Sequence, residues 1–139
     1  MTPGVKRGYT SSIAVYIDQS GSVGNGDLEL AFAELASLSK RTEFTTFHFD
    51  TEVDVKSETS WRKGKIPVAH RTRCGGTDFE CVTKHANENS NRFDGYIIIT
   101  DGEAPKPSPS RLKRGWLLVP DRSLIFEASK RDFSMKMKR

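Results

Sequence analysis

The chain has 139 residues, a length that suits one domain with a single hydrophobic core. No apolar run approaches the roughly 18 residues that a membrane span needs, and the N-terminus has no apolar signal region, so we expect a cytoplasmic protein without membrane contact. The formal net charge is +4 at pH 7, and many basic residues gather near the C-terminus, which we interpret as a solvated tail rather than a nucleic-acid site.

A candidate cation site follows the first apolar run. Residues 1–11 suit a flexible lead-in, and the run Ile13–Ile17 then predicts a strand buried on both faces of a parallel sheet. Asp18, Ser20 and Ser22 come directly after it. Ligands bind at the carboxyl ends of strands in open α/β sheets, and a carboxylate with two hydroxyls suits a hard cation. An ordinary turn would have a similar composition, so this stretch alone leaves both interpretations open.

The next stretch predicts a helix and a hairpin. Apolar residues recur at helical spacing from Leu28 and predict an amphipathic helix to about Lys40, capped by Asn25 or Asp27. Alternation of Thr and Phe over residues 43–50 predicts a strand. Residues 51–56 then predict an antiparallel edge strand, joined to it by a short hairpin.

A polar and basic loop is predicted over residues 57–73, with a short strand at Ile66–Val68. If Trp61 is exposed beside the sheet edge that carries the candidate cation site, it is a better candidate for a contact with a partner protein. The stretch lacks the regular alternation of aromatic and basic residues that single-strand binders use, so nucleic-acid binding is the weaker interpretation.

The stretch Cys74-Gly75-Gly76-Thr77-Asp78 adds a hydroxyl in a glycine-rich loop, and a helix to about residue 89 follows it. Asp78 is expected to cap that helix, with the orientation of a metal-bound water as the alternative. Without a signal peptide, the two cysteines, Cys74 and Cys81, are interpreted as reduced thiols. The three histidines, His48, His70 and His85, lack metal-ligand spacing and are interpreted as structural.

A second buried strand over residues 93–100 ends in Asp101. Residues 103–110 contain too many prolines for a helix interior and predict a loop at the same edge of the sheet. Trp116–Val119 predicts a last inner strand, and residues 132–138 alternate as in an edge strand.

The pattern Asp18-x-Ser20-x-Ser22, then Thr77, then Asp101 resembles the von Willebrand factor type A (VWA) family, whose metal-ion-dependent adhesion site is built from three such segments in this order. The motifs Gly-Gly-Thr-Asp-Phe at 75–79 and Thr-Asp-Gly at 100–102 look most like those of bacterial and phage VWA-like domains that accompany a metallopeptidase-like region. The resemblance covers about residues 11–120, and all five metal-site positions match.

This resemblance implies an α/β fold of three layers, α/β/α and Rossmann-like, with a mostly parallel central sheet and one antiparallel edge strand. The VWA-like domain would span residues 12–120, followed by a basic segment at 121–139 that adds an edge strand. The resemblance also implies a bound divalent cation, for which Mg²⁺ is the first choice and Mn²⁺ and Ca²⁺ are alternatives. The metal-site residues would be Asp18, Ser20, Ser22, Thr77 and Asp101. A partner protein would offer Asp or Glu to that ion, and a MoxR-type AAA+ ATPase is the partner that the family suggests.

Two other functions stay open from the residues. A phosphatase of the aspartyl-phosphate kind would need Asp-x-Asp where this chain has Asp18-Gln19-Ser20, and neither serine of the turn sits in a Gly-x-Ser-x-Gly frame. We therefore predict a domain that is not an enzyme, with a metal-dependent hydrolase as the alternative. A structural component of a phage or bacterial assembly is the other alternative.

Overall fold

The computed structural model describes residues 12–62 and 75–138, which form one six-stranded sheet with a helix on each face. The strands are β1 Ile13–Asp18, β2 Phe44–Phe49, β3 Val53–Trp61, β4 Gly95–Thr100, β5 Lys113–Leu118 and β6 Phe133–Lys136, and the helices are α1 Asn25–Leu38 and α2 Phe79–Glu88. The strand order is β3-β2-β1-β4-β5-β6. In the described part of the chain only the edge pair β2–β3 is antiparallel, which confirms the predicted fold class.

The central strand β1 determines where a site can form. It pairs in parallel with both β2 and β4, and Ala14, Val15, Tyr16 and Ile17 are all 0% exposed. Parallel pairing brings the carboxyl ends of these three strands to the same edge of the sheet. The turns after β1, β2 and β4 are therefore neighbours.

Alternate side chains of β1 enter two separate cores, as the period of a strand requires. Val15 and Ile17 pack against α1, in a cluster that includes Phe32 and Leu35. Tyr16 packs on the opposite face against α2, in a cluster that includes Val82. The two clusters establish the three-layer α/β/α arrangement. Neither described helix is long and apolar enough to cross a membrane.

The β2–β3 hairpin differs from the sequence prediction. Strand β3 continues to Trp61 instead of ending at Lys56. Trp61 is only 1% exposed, because its ring stacks on Phe32 and Phe44 and its indole N–H donates to Thr46 Oγ1 at 2.9 Å. The condition for a partner contact at Trp61, its exposure, is therefore not met.

Other local predictions have mixed outcomes. Helix α1 has Gly24 at its N-cap with no side-chain cap, so the predicted capping by Asn25 or Asp27 is wrong. Asp78 does cap α2, accepting from the N–H of Glu80 at 2.9 Å. The proline-rich stretch at 103–110 is a loop, as predicted. The predicted strand at 66–68, together with His70 and Cys74, lies outside the described residues.

A buried ion pair connects the C-terminal segment to the rest of the domain. Arg114 Nε donates to Asp132 Oδ2 at 2.7 Å, and the two side chains are 0% and 4% exposed. The indole N–H of Trp116 donates to the same oxygen at 3.1 Å. Strand β6 then pairs with β5, and Met137 N–H donates to the carbonyl of Leu118 at 2.8 Å. The basic segment thus supplies an edge strand.

Candidate metal centre

Asp18 is held at the end of β1 by donors on both of its carboxylate oxygens. Its Oδ1 accepts from the N–H of Ser20 at 2.8 Å, and its Oδ2 accepts from the hydroxyl of Thr100 at 2.6 Å. Asp18 is 1% exposed. The turn after β1 and the end of β4 are therefore connected through one buried carboxylate.

The buried environment makes Asp18 harder to ionise. Burial raises the pKa of its carboxyl above the ordinary value, the hydrogen bonds from Ser20 and Thr100 act in the opposite direction, and the charge of Asp101 raises the pKa further. A cation close to the two carboxylates would favour their ionised forms and offset the repulsion between them.

Asp101 has one carboxylate oxygen without a partner among the residues that the structure describes. The residue is 1% exposed, and its Oδ1 accepts from the N–H of Glu103 at 3.1 Å. Its Oδ2 is buried and has no hydrogen-bond partner among the described residues. A buried carboxylate oxygen without a hydrogen-bond partner lowers the stability of the fold, and a bound cation would offset this loss. The atom therefore fits a cation ligand.

The two serine hydroxyls lie next to each other. Ser20 Oγ and Ser22 Oγ are 3.2 Å apart, and the turn is closed by a hydrogen bond from the N–H of Val23 to the carbonyl of Ser20 at 3.1 Å. Ser20 is buried and Ser22 is exposed. The pair therefore extends from the interior toward solvent.

The third predicted segment reaches the same edge through backbone contacts. The N–H of Gly21 donates to the carbonyl of Gly75 at 3.0 Å, which joins the serine turn directly to the glycine-rich loop. The N–H of Asp78 donates to the carbonyl of Asp50, after β2, at 2.9 Å. Thr77, which is half-buried, lies between these two contacts.

Asp50 is a residue of this edge that the sequence analysis missed. It is 5% exposed, its Oδ2 accepts from the N–H of Gly75 at 3.2 Å, and its Oδ1 accepts from the N–H of Thr51 at 2.6 Å. A single Asp after a strand is common in hairpin turns. The only signal for another role is the pair Gly75-Gly76, which permits close approach of another chain segment.

The structure thus brings the predicted residues together to different degrees. Asp18 accepts from Thr100, which precedes Asp101 in the chain. Ser20 and Ser22 contact each other, and Thr77 is connected through Gly75. The candidate set supplies only oxygen donors, two carboxylates and three hydroxyls, which suits Mg²⁺ better than a soft metal. Over residues 12–62 and 75–138, no group of three or more His, Cys, Asp or Glu side chains could hold a metal.

The described histidines and cysteine have other contacts. His85 Nδ1 lies 2.7 Å from the hydroxyl of Tyr16, and the ring of His48 packs edge-on against Phe32. Cys81 is a free cysteine whose Sγ donates to the carbonyl of Asp78 at 2.9 Å. Burial raises the pKa of this thiol to about 12, with Asp78 adding to the effect, so it is protonated at neutral pH.

Comparison with known sequences gives a family match over most of the chain. The family model described as "VWA-like domain (DUF2201)" matches residues 13–125. A Thermotoga maritima protein described as uncharacterized is 27% identical over 109 residues, which are 78% of this chain and 27% of that protein. The chain therefore spans about a quarter of the length of this relative.

Solved structures with a similar fold come from diverse sources. An aerotolerance-related membrane protein from Bacteroides fragilis has a TM-score of 0.59 at 16% identity, covering 87% of this chain and 75% of its own. The ArnB paralog VWA2 from Sulfolobus acidocaldarius has a TM-score of 0.59 at 16% identity, covering 81% and 35%. Proximal thread matrix protein 1 from the mussel byssus has a TM-score of 0.60 at 14% identity, covering 90% and 43%. At these identities the likeness shows the fold alone.

Proposed function

Because the chain belongs to the VWA-like domain family DUF2201, we propose that it is a metal-dependent protein-interaction module. The proposed ligands of its divalent cation are Asp18, Ser20, Ser22, Thr77 and Asp101. The observation that carries the proposal is the buried, unpaired Oδ2 of Asp101, at the edge where the three oxygen-rich segments meet. None of the salt bridges within residues 12–62 and 75–138 brings a positive charge to Asp101.

The donor set suggests how the ion would be used. With the three hydroxyls as direct ligands, and with Asp18 and Asp101 close to the ion or bridged to it through water, a divalent cation would have few negative charges in its first coordination shell. It would therefore attract a further carboxylate. Mg²⁺ prefers octahedral coordination and usually keeps water, which a partner's Asp or Glu could replace. The protein's own residues contribute by orienting their oxygens, as Thr100 does for Asp18.

The choice of partner follows from the family resemblance alone. We propose a MoxR-type AAA+ ATPase that offers an acidic side chain to the ion. The resemblance also suggests a metallopeptidase-like companion region, and the Thermotoga maritima relative is long enough to contain further regions, since the match covers 27% of it.

Calorimetry with Mg²⁺, Mn²⁺ and Ca²⁺ tests the metal part of the proposal. We expect saturable binding of one ion to the wild type and none to Asp18→Ala. Asp27→Asn serves as the control, because Asp27 is an acidic residue in the first turn of α1 that is not one of the proposed ligands. A wild type that binds none of the three ions would refute the metal site.

Capture of partners with and without EDTA tests the interaction part. We expect recovery of an ATPase in Mg²⁺, and loss of it both in EDTA and with Thr77→Ala. A stoichiometric complex that resists EDTA would indicate a structural assembly role instead. Hydrolysis of a phosphate ester that needs Mg²⁺ and disappears in Asp18→Ala would indicate an enzyme.

A further inference from the structure

Asp50 is not one of the proposed ligands, yet it contacts both ends of the segment that carries Thr77. We propose that Asp50 is a positioning residue, which holds Thr77 at the cation site without touching the ion. The inference rests on the proposed function, since it assigns a role within the same site.

Two oxygens of Asp50 make the relevant contacts. The side-chain Oδ2 accepts from the N–H of Gly75, and the backbone carbonyl accepts from the N–H of Asp78. These two donors lie on either side of Thr77 in the chain. Only the first contact depends on the side chain, so substitution of Asp50 releases one end of the segment while the other can remain.

Asp50 also makes contacts within its own turn, which are separate from that role. Its N–H donates to the carbonyl of Glu52, and its Oδ1 accepts from the N–H groups of Thr51 and Glu52 at 2.6 and 3.4 Å. Oδ1 therefore organises the β2–β3 turn, whereas Oδ2 reaches a residue 25 positions away. A residue that served the hairpin alone would not need its second oxygen aimed at Gly75.

The absence of a side chain at position 75 is part of the same contact. A Cβ added to Gly75 would lie 2.7 Å from Oδ2 of Asp50 and 3.3 Å from Cγ of Asp50. The distance from this added atom to Cβ of Asp50 would be 3.7 Å. Replacement of Asp50 by Ala removes the two close atoms and leaves an ordinary van der Waals distance. The two positions are therefore expected to depend on each other.

Titration with Mg²⁺ and amide exchange test the proposal on Asp50→Ala and Asp50→Asn. We expect Asp50→Ala to weaken Mg²⁺ binding about tenfold, as loss of ligand-orienting partners typically does. Asp50→Asn keeps one acceptor oxygen and should fall between Ala and wild type. In the metal-free protein, the amide of Gly75 should exchange faster in Asp50→Ala, which a role confined to the hairpin would not produce.

Asp54→Asn is the matched control, because it removes a charge from the same hairpin at a carboxylate that accepts from Lys56 N–H. It should bind Mg²⁺ as the wild type does. An equal loss of affinity in Asp54→Asn and Asp50→Asn would show that only net charge matters, and would overturn the positioning role.

A double-mutant cycle with Gly75→Ala tests the contact itself. Gly75→Ala alone should weaken Mg²⁺ binding, since its Cβ displaces Asp50, but it should add little in the Asp50→Ala background. Additive losses would overturn the proposed contact. Failure of the wild type to bind any ion refutes the proposed function and this inference together, whereas normal binding by Asp50→Ala refutes the inference alone.

Discussion

The hydroxyl of Thr100 donates a 2.6 Å hydrogen bond to Oδ2 of Asp18, across the paired strands β4 and β1. Both residues are at most 1% exposed. The same hydroxyl accepts from the N–H of Gly102 at 3.1 Å. A single side chain therefore orients the first carboxylate and shapes the turn that contains the second.

Thr100→Val should destabilise the domain although it keeps the shape of the side chain. The change removes the donor to a buried carboxylate, which typically costs about 1–3 kcal/mol. Urea denaturation should show the loss, and Thr100→Ser, which keeps the hydroxyl, should retain most of the stability. Equal urea midpoints for wild type and Thr100→Val would contradict the assigned role of this hydrogen bond.

Asp101→Asn should raise the stability of the metal-free domain but remove most of the stabilisation that Mg²⁺ gives. In the absence of metal it removes a buried negative charge close to Asp18, so the free energy of unfolding should rise by about 1 kcal/mol. In saturating Mg²⁺ the wild type should gain about 2.7 kcal/mol at a hundredfold excess over Kd, and the variant should gain little. Thermal unfolding with Mg²⁺ and with EDTA gives both values. A variant that is less stable than wild type in EDTA would show that Oδ2 has a stabilising role within the chain.

Stability should decrease as the pH falls through about 6.5, because of His85. Burial lowers the pKa of this histidine below its ordinary 6.5; the charge of Arg92 acts in the same direction, and those of Glu88 and Glu58 oppose it. Tyr16 retains its proton, since burial raises its pKa, and its hydroxyl lies 2.7 Å from His85 Nδ1. The unfolded chain therefore binds a proton more readily than the folded one.

The measurement is the difference between wild type and His85→Gln in urea denaturation from pH 7.5 to 5. The wild type should lose stability faster than the variant as the pH falls. Parallel curves would show that the His85–Tyr16 contact does not depend on the charge of the histidine.

Gly115→Ala should loosen β6. A Cβ at this position would overlap the ring of Phe133, its partner in the β5–β6 register. We expect a loss of about 1–3 kcal/mol, the range for overpacking. In a Phe133→Ala background the same change should cost much less, as urea denaturation can check. A similar loss in both backgrounds would place the strain elsewhere.

The inner strands were predictable because their signal is local. The runs ending in Asp18 and Thr100 are apolar and short, and the sheet buries both of their faces. Asp78 was recognised as a cap because a cap needs only its own helix. The order Asp-x-Ser-x-Ser, Thr, Asp also lies in the chain itself, so the resemblance indicated the candidate ligands.

Two features that the sequence does not reveal, the burial of Trp61 and the role of Asp50, depend on contacts between distant residues. Trp61 follows a polar stretch, and only the stacking on Phe32 and Phe44 makes it part of the core. Asp50 resembles any turn residue until Gly75 lies beside it. These partners cannot be inferred from the spacing of residues around Trp61 or Asp50, because they belong to other segments of the chain.

The Arg114–Asp132 ion pair sets a practical limit for anyone who shortens this protein. The family match ends at residue 125, so a truncation there would look reasonable by alignment. It would remove Asp132 and leave a guanidinium in the interior without its counter-charge, a change that commonly costs about 3–5 kcal/mol. The minimal recombinant fragment should therefore extend through Met137, beyond residue 125, where the family match ends.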